Sequence, residues 1–216
     1  MYVPEGRDAL AKLWKEYMQI AQSQHLPFMA TTPTRRANRE RVYASEYSDS
    51  IIADNVDFLR NIMSDTPSTM YIGGLMGCKG DAYTGEGALN TTEAFHFHSW
   101  QAQLFKDAQV DFLYAGIIPT LPEAIGMAMA MAETKILYII SFTIRRDGCL
   151  IDGSSIHDAI NTIDNNVFEP PLCYMTNCVH PSIVQALKKE FGLKLFGGCC
   201  GTDNHYMKEI AQRIIL

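Results

Sequence analysis

Short, continuous apolar runs separated by helix-length amphipathic stretches set the tightest limit on how this chain can fold. Met70 to Leu75, Val110 to Ala115, Lys135 to Thr143 and Pro171 to Cys178 are apolar along most of their length. They lack the alternation of a strand with one wet face. Such strands are buried on both faces, which calls for a parallel sheet covered by helices. Leu26 to Thr32 reads as an earlier strand of the same kind, and Leu193 to Asp203 holds the last.

The intervening segments carry helix signals. Asp8 to Gln24 places Leu10, Leu13, Trp14, Tyr17, Met18 and Ala21 at helical spacing, the pattern of an amphipathic helix. A polar helix runs through Asn55 to Met63. Asn90 and Glu93 have the spacing of a capping box ahead of a helix to about Ala108. Thr120, Pro122 and Glu123 give a second start of the same type, with a cap, an early proline and a glutamate three residues on. The methionines that follow, Met127, Met129 and Met131, read as core. Further helices are expected from about Ser154 to Asp164, from Pro181 to Phe191 and from Asn204 to Ile214. His96 and His98 lie two apart on one helix, so they do not share a face and make a poor metal pair.

Strand and helix thus alternate through six units, with glycine-rich and polar residues gathered after the strands. That is an α/β pattern of the (β/α)8 TIM-barrel type, whose active sites lie at the carboxyl ends of the strands. A closed barrel of this kind takes about 250 residues, and this chain has 216. An incomplete barrel in a single domain, residues 1–216, is the expectation. The glycine-rich stretch from Met76 to Gly85 lacks the order of a phosphate loop, so no nucleotide is assigned to it.

Composition excludes other classes. Charged residues are 19% and hydrophobic ones 47%, with a formal net charge of -6, which argues against nucleic acid as the main partner. The basic cluster Arg35, Arg36, Arg39 and Arg41 reads as a solvated helix face. No run approaches the roughly 20 apolar residues that span a bilayer. The amino terminus has no signal-peptide core. Six cysteines are too few for a disulfide scaffold, so a reducing, cytoplasmic setting is expected.

Chemistry concentrates at the end of the chain, in Gly197-Gly198-Cys199-Cys200-Gly201-Thr202, together with Asn177-Cys178. Adjacent side chains in a regular strand point to opposite faces, so two neighbouring cysteines can share a metal only where the backbone bends. The flanking glycines permit that bend. Cys178 ends its own strand and reaches the same end if the two strands run parallel. Three thiolates would suit zinc with an open fourth position, the arrangement of a catalytic site. A cysteine is also a common core residue, and Cys78, Cys149 and Cys173 are read that way. From the residues alone, core packing, a vicinal dithiol and a metal centre all remain open for the pair.

These motifs resemble the homocysteine S-methyltransferase family, which includes betaine-homocysteine methyltransferase and the homocysteine module of cobalamin-dependent methionine synthase. Thr32-Pro33-Thr34-Arg35-Arg36-Ala37-Asn38 is similar to that family's loop after its second strand, Gly80 to Gly85 to the loop after the third, and Ser141-Phe142-Thr143 to the fifth strand. The resemblance implies zinc on Cys178, Cys199 and Cys200, and substrate contacts from Thr32, Thr34 and Asn177. It also implies methyl transfer to a thiol, most simply homocysteine to give methionine, with a small-molecule methyl donor. Zinc would keep the thiol ionised, so no separate general base is required. The chain departs from the family at three places. The first strand with its Asp-Gly segment and the seventh strand are missing, and Gly116 stands where the fourth strand typically ends in a glutamate. A second reading follows: a shortened, non-catalytic zinc-binding relative, acting as a homo-oligomer that covers its open strand edges or as an interaction protein.

Overall fold

The computed structural model describes residues 1–65, 69–178, 195–198 and 201–214. The elements alternate as α1 (Pro4–Ser23), β1 (Phe28–Thr31), α2 (Arg39–Tyr43), α3 (Ser50–Ser64), β2 (Met70–Gly77), α4 (Thr91–Asp107), β3 (Phe112–Ile118), α5 (Leu121–Ala132), β4 (Tyr138–Thr143), α6 (Ile156–Asn166), β5 (Cys173–Asn177) and α7 (Asn204–Ile214). The strands form one sheet in the order β1-β2-β3-β4-β5, and β2 through β5 pair in parallel. This is an α/β fold of the incomplete (β/α)8-barrel type. Five of the six expected strands fall among the described residues. Of the sixth segment, Leu195 to Gly198 has no regular structure, and Cys199 and Cys200 lie outside the described residues, as does the helix expected from Pro181 to Phe191.

Burial follows the apolar runs. All six residues of β4 are buried, and β3 leaves only Tyr114 half-buried, as a strand covered on both faces requires. Registers place Leu75 beside Tyr114 and Gly77 beside Gly116, then Tyr114 beside Ile139 and Thr143 beside Asn177. The β3–β4 pairing shifts between Ala115 and Ile118, where Ile117 adopts a φ of 64°. Positive φ is strained for a β-branched side chain.

Two compact units can be distinguished, one of Met1–Ala30, Arg60–Tyr71 and Cys178–Leu216, the other of Thr31–Leu59 and Ile72–Asn177. In the first, α1 packs with α7, and the Tyr17 hydroxyl donates to the Thr202 carbonyl at 3.1 Å. Trp14 meets Tyr17 edge-on and tilts against Phe28, each with ring centroids 6.2 Å apart.

The second unit holds most of the sheet and helices α2, α4, α5 and α6. Here α4 and α5 pack against each other, closely at Gly126 of α5. A side chain at Gly126 would run into the Thr91 carbonyl and lie 2.7 Å from Ala94 Cβ. Met127 and Met131 are fully buried, as the core reading of the methionines expects, whereas Met129 is half-buried. The helix start at Asn90 is a capping box, with Glu93 N–H donating to Asn90 Oδ1 at 3.0 Å and Asn90 N–H to Glu93 Oε2 at 3.2 Å.

The second expected capping box does not form. Thr120 occupies the N-cap without a side-chain bond to the helix, and its buried hydroxyl has no partner among the described residues. Glu123 turns inward instead, because its carboxylate finds stronger donors in the loop after β2.

Candidate active site

Loops at the carboxyl ends of β1 to β4 are tied to one another within the second unit. Thr32 N–H donates to Gly73 O at 2.9 Å, which carries the β1–β2 pairing past the end of β1. Gln101 Nε2 donates to Thr34 O at 3.1 Å, and Arg36 Nη1 to Gly80 O at 3.3 Å. Lys79 Nζ pairs with Glu40 at 2.9 Å. Farther along, Ile151 N–H donates to Pro119 O at 3.0 Å, and Leu121 N–H to Asp152 Oδ2 at 2.6 Å. The loop after β1 is therefore held to the loop after β2, and the loop after β3 to the loop after β4.

Of the basic cluster, Arg39 and Arg41 lie on the short helix α2, capped by Asn38. Arg36 belongs to the loop and reaches the chain after β2.

Thr32 and Thr34 sit just after β1, with 0% and 1% exposure. Their hydroxyls lie 2.7 Å apart. Thr34 donates to Leu75 O at 2.8 Å, and Leu75 N–H donates to Thr32 Oγ1 at 3.1 Å. Both hydroxyls therefore complete the backbone bonding of β2 where regular pairing stops.

Asn177 ends β5 and supports a different strand. Its Oδ1 accepts the Ile117 N–H at 3.0 Å, and its Nδ2 donates to the Tyr114 hydroxyl at 3.1 Å. The bond to Ile117 falls within the β3 irregularity, where the register with β4 shifts between Ala115 and Ile118. Asn177 thus bonds to β3 and not to the two threonines. Cys178 follows directly, exposed, with a φ of 56°. An exposed thiol at a strand's carboxyl end differs from the core thiols expected elsewhere, and its donor chemistry suits zinc. Cys199 and Cys200 lie outside the described residues, and among the described residues no cluster of three His, Cys, Asp or Glu could hold a metal.

Cys78, read as core, is 5% exposed. Burial pushes its thiol up to about 11, with Glu123 adding to the shift and Arg35 and Arg36 opposing it. Such a thiol is a poor nucleophile at neutral pH because little of it is ionised. Cys149 and Cys173 are half-buried, and burial also raises the Cys173 thiol.

The loop from Lys79 to Leu89 is built from its own bonds. Asp81 N–H donates to Glu86 O at 2.9 Å, and Gly85 N–H to Asp81 O at 3.0 Å. The Asp81 carboxylate accepts the N–H groups of Tyr83 and Thr84, both at 2.8 Å, and those bonds hold it below the usual carboxylate range.

Sequence reasoning missed the group beneath this loop. Glu123 is 0% exposed and His98 1%. His98 Nε2 lies 3.1 Å from Glu123 Oε1, close enough to donate to it, and the same oxygen accepts the Lys79 N–H at 2.7 Å. Glu123 Oε2 accepts the Leu89 N–H at 3.4 Å. The available signal was a lone acidic residue in an otherwise small and apolar helix, which the capping-box spacing explained away.

No helix among the described residues is long and apolar enough to cross a membrane.

Crystal structures of the homocysteine methyltransferase MmuM from Escherichia coli share this fold. The metallated form aligns with a TM-score of 0.77 at 18% identity, covering 97% of this chain and 86% of that one. The oxidised form gives 0.79 at 17%, with 97% and 85% covered, and the apo form gives 0.73 at 18%, with 97% and 87% covered. At such identities the likeness speaks for the fold. No curated protein sequence matches the chain. The family model described as homocysteine S-methyltransferase matches residues 3–193. The chain therefore belongs to the homocysteine S-methyltransferase family.

Proposed function

We propose that the chain is a zinc-dependent methyltransferase that moves a methyl group onto a thiol, with homocysteine as the first acceptor to test. The observation that carries this reading is the position of Cys178. It is an exposed thiol at the carboxyl end of β5, directly after an asparagine that braces the neighbouring strand. Cys178, Cys199 and Cys200 would hold the metal. Zinc there would lower the acceptor thiol's pKa and keep it as the thiolate that attacks the methyl donor.

The other residues have supporting tasks. Asn177 fixes the end of β3 against β5 and so sets the ground beside the first ligand. Thr32 and Thr34 would contact the acceptor from the loop after β1, which their hydroxyls stiffen. Both donor and acceptor are small molecules in this reading, and methionine is the product when homocysteine is the acceptor.

One feature favours a second reading. Gly116 lies beside Gly77, and a Cβ there would come within 2.9 Å of Leu75 Cδ1. The place where relatives carry a glutamate is therefore apolar and filled. An acceptor thiol without an amino group, or a zinc-binding relative without turnover, fits that change.

The deciding experiment is zinc content per chain after purification under reducing conditions, with Cys200→Ala alongside, followed by methyl transfer to homocysteine and to thiols lacking the amino group. About one zinc per chain, lost in the variant, with transfer to either thiol supports the enzyme. Zinc without transfer across sulfonium and ammonium donors supports the non-catalytic relative. Folded protein without zinc overturns both.

A further inference from the structure

We propose that Glu123, with His98 behind it, is a positioning residue that fixes the loop Lys79 to Leu89 at the carboxyl end of β2. The inference rests on the methyltransferase reading only for what the loop serves, not for how it is held.

A carboxylate with no exposed surface is costly unless its oxygens are filled by donors. Glu123 meets that condition through the loop itself, since it accepts the backbone N–H groups of Lys79 and Leu89, the two ends of the segment. One side chain thereby closes a loop that its internal bonds shape but do not attach to the sheet. The third donor, His98, comes from α4 and is equally buried. Its ring keeps Glu123 Oε1 directed at the Lys79 N–H.

Helix-start chemistry would have served α5 better had Glu123 capped it, and Thr120 is left without its reciprocal partner. The structure gives up that local bond and uses the carboxylate at long range. Cys78 marks the entry to the loop with a thiol that burial keeps protonated. The task left for the pair is geometric: it holds the backbone from Gly80 to Gly85 where an acceptor or donor molecule would meet it.

The test is amide hydrogen exchange by NMR on Glu123→Gln, His98→Leu and His98→Gln, read at Lys79 and Leu89 and at the central strands β3 and β4. Glutamine at 123 sets an amide group against a donor, so exchange at Lys79 and Leu89 should rise about tenfold or more while β3 and β4 keep their protection. His98→Leu should raise the same two rates. His98→Gln, which restores a donor, should bring them back to within about threefold of the parent. Where turnover is available, Glu123→Gln should raise KM for the acceptor about tenfold with kcat nearly unchanged.

Unchanged exchange at both amides in folded Glu123→Gln overturns the proposal, as does loss of protection in loop and strands together. Should Glu123→Gln fail to fold, the two His98 variants decide: equal exchange in both overturns it. Exchange needs neither metal nor substrate, so a failed methyl-transfer assay leaves this result standing.

Discussion

Replacing Asn177 with alanine should destabilise the protein by about 2 kcal/mol, because it takes away the acceptor of a buried backbone N–H. Ile117 is 8% exposed, its φ is 64°, and its N–H donates to Asn177 Oδ1 at 3.0 Å. Leaving a buried donor unsatisfied costs about 1–3 kcal/mol, and holding a non-glycine residue at positive φ stores a similar strain that the bond helps to contain. For a chain of this size, each kcal/mol shifts Tm by about 2–4 °C, so the expected fall is about 4–8 °C. Tyr114→Phe is the informative control, since it removes the hydroxyl that meets Asn177 Nδ2 at 3.1 Å and Oδ1 at 3.5 Å and leaves the Ile117 acceptor in place. It should cost about 1 kcal/mol or less. Thermal unfolding by circular dichroism reads both. A fall below about 1 °C in Asn177→Ala, or an equal effect of Tyr114→Phe, would refute the argument that the stranded N–H dominates.

Two other perturbations follow from the geometry. Gly126→Ala should destabilise by about 1–3 kcal/mol in urea unfolding, because the added methyl meets the backbone of α4 and neither helix can move without disturbing the sheet behind it; an unchanged midpoint would mean the helices slide freely. The Asp81 carboxyl is held below its ordinary 3.8 by the Tyr83 and Thr84 N–H groups. Its contribution is therefore fully present above that value and is lost as pH falls through the depressed one. Protection of the Tyr83 and Thr84 amides should accordingly persist at pH 6 and weaken in strong acid, whereas Asp81→Asn should show no such acid step.

Local patterns made most of the fold legible. The expected strand at Met70 to Leu75 appears as Met70–Gly77, and that at Lys135 to Thr143 as Tyr138–Thr143, since doubly buried strands announce themselves by continuous apolar character. The last helix, expected from Asn204 to Ile214, is described over that same span. His96 is exposed and His98 buried, as two residues on different faces of one helix must be. The short helix Arg39–Tyr43 left no strong periodic signal because it is barely more than one turn. What the sequence concealed was long-range polar pairing. Glu123 and His98 stand 25 positions apart, and Glu123 and Lys79 stand 44 apart. A motif that satisfies a local rule gives no hint that a distant donor binds the same carboxylate more strongly. The same holds for Asn177, whose partner Ile117 lies 60 positions away.

Because strand order in the sheet equals strand order in the chain, each new strand meets its partner in the one made just before it. Among the described strands no pairing waits for a segment still to be synthesised, so the sheet can grow outward from β1 as the polypeptide leaves the ribosome. Loop closure spans two helices between β1 and β2 and one helix at each later step, and the entropy of closing such a loop rises only slowly with its length. An end unit of such an array could be removed without undoing any pairing among the described strands that remain.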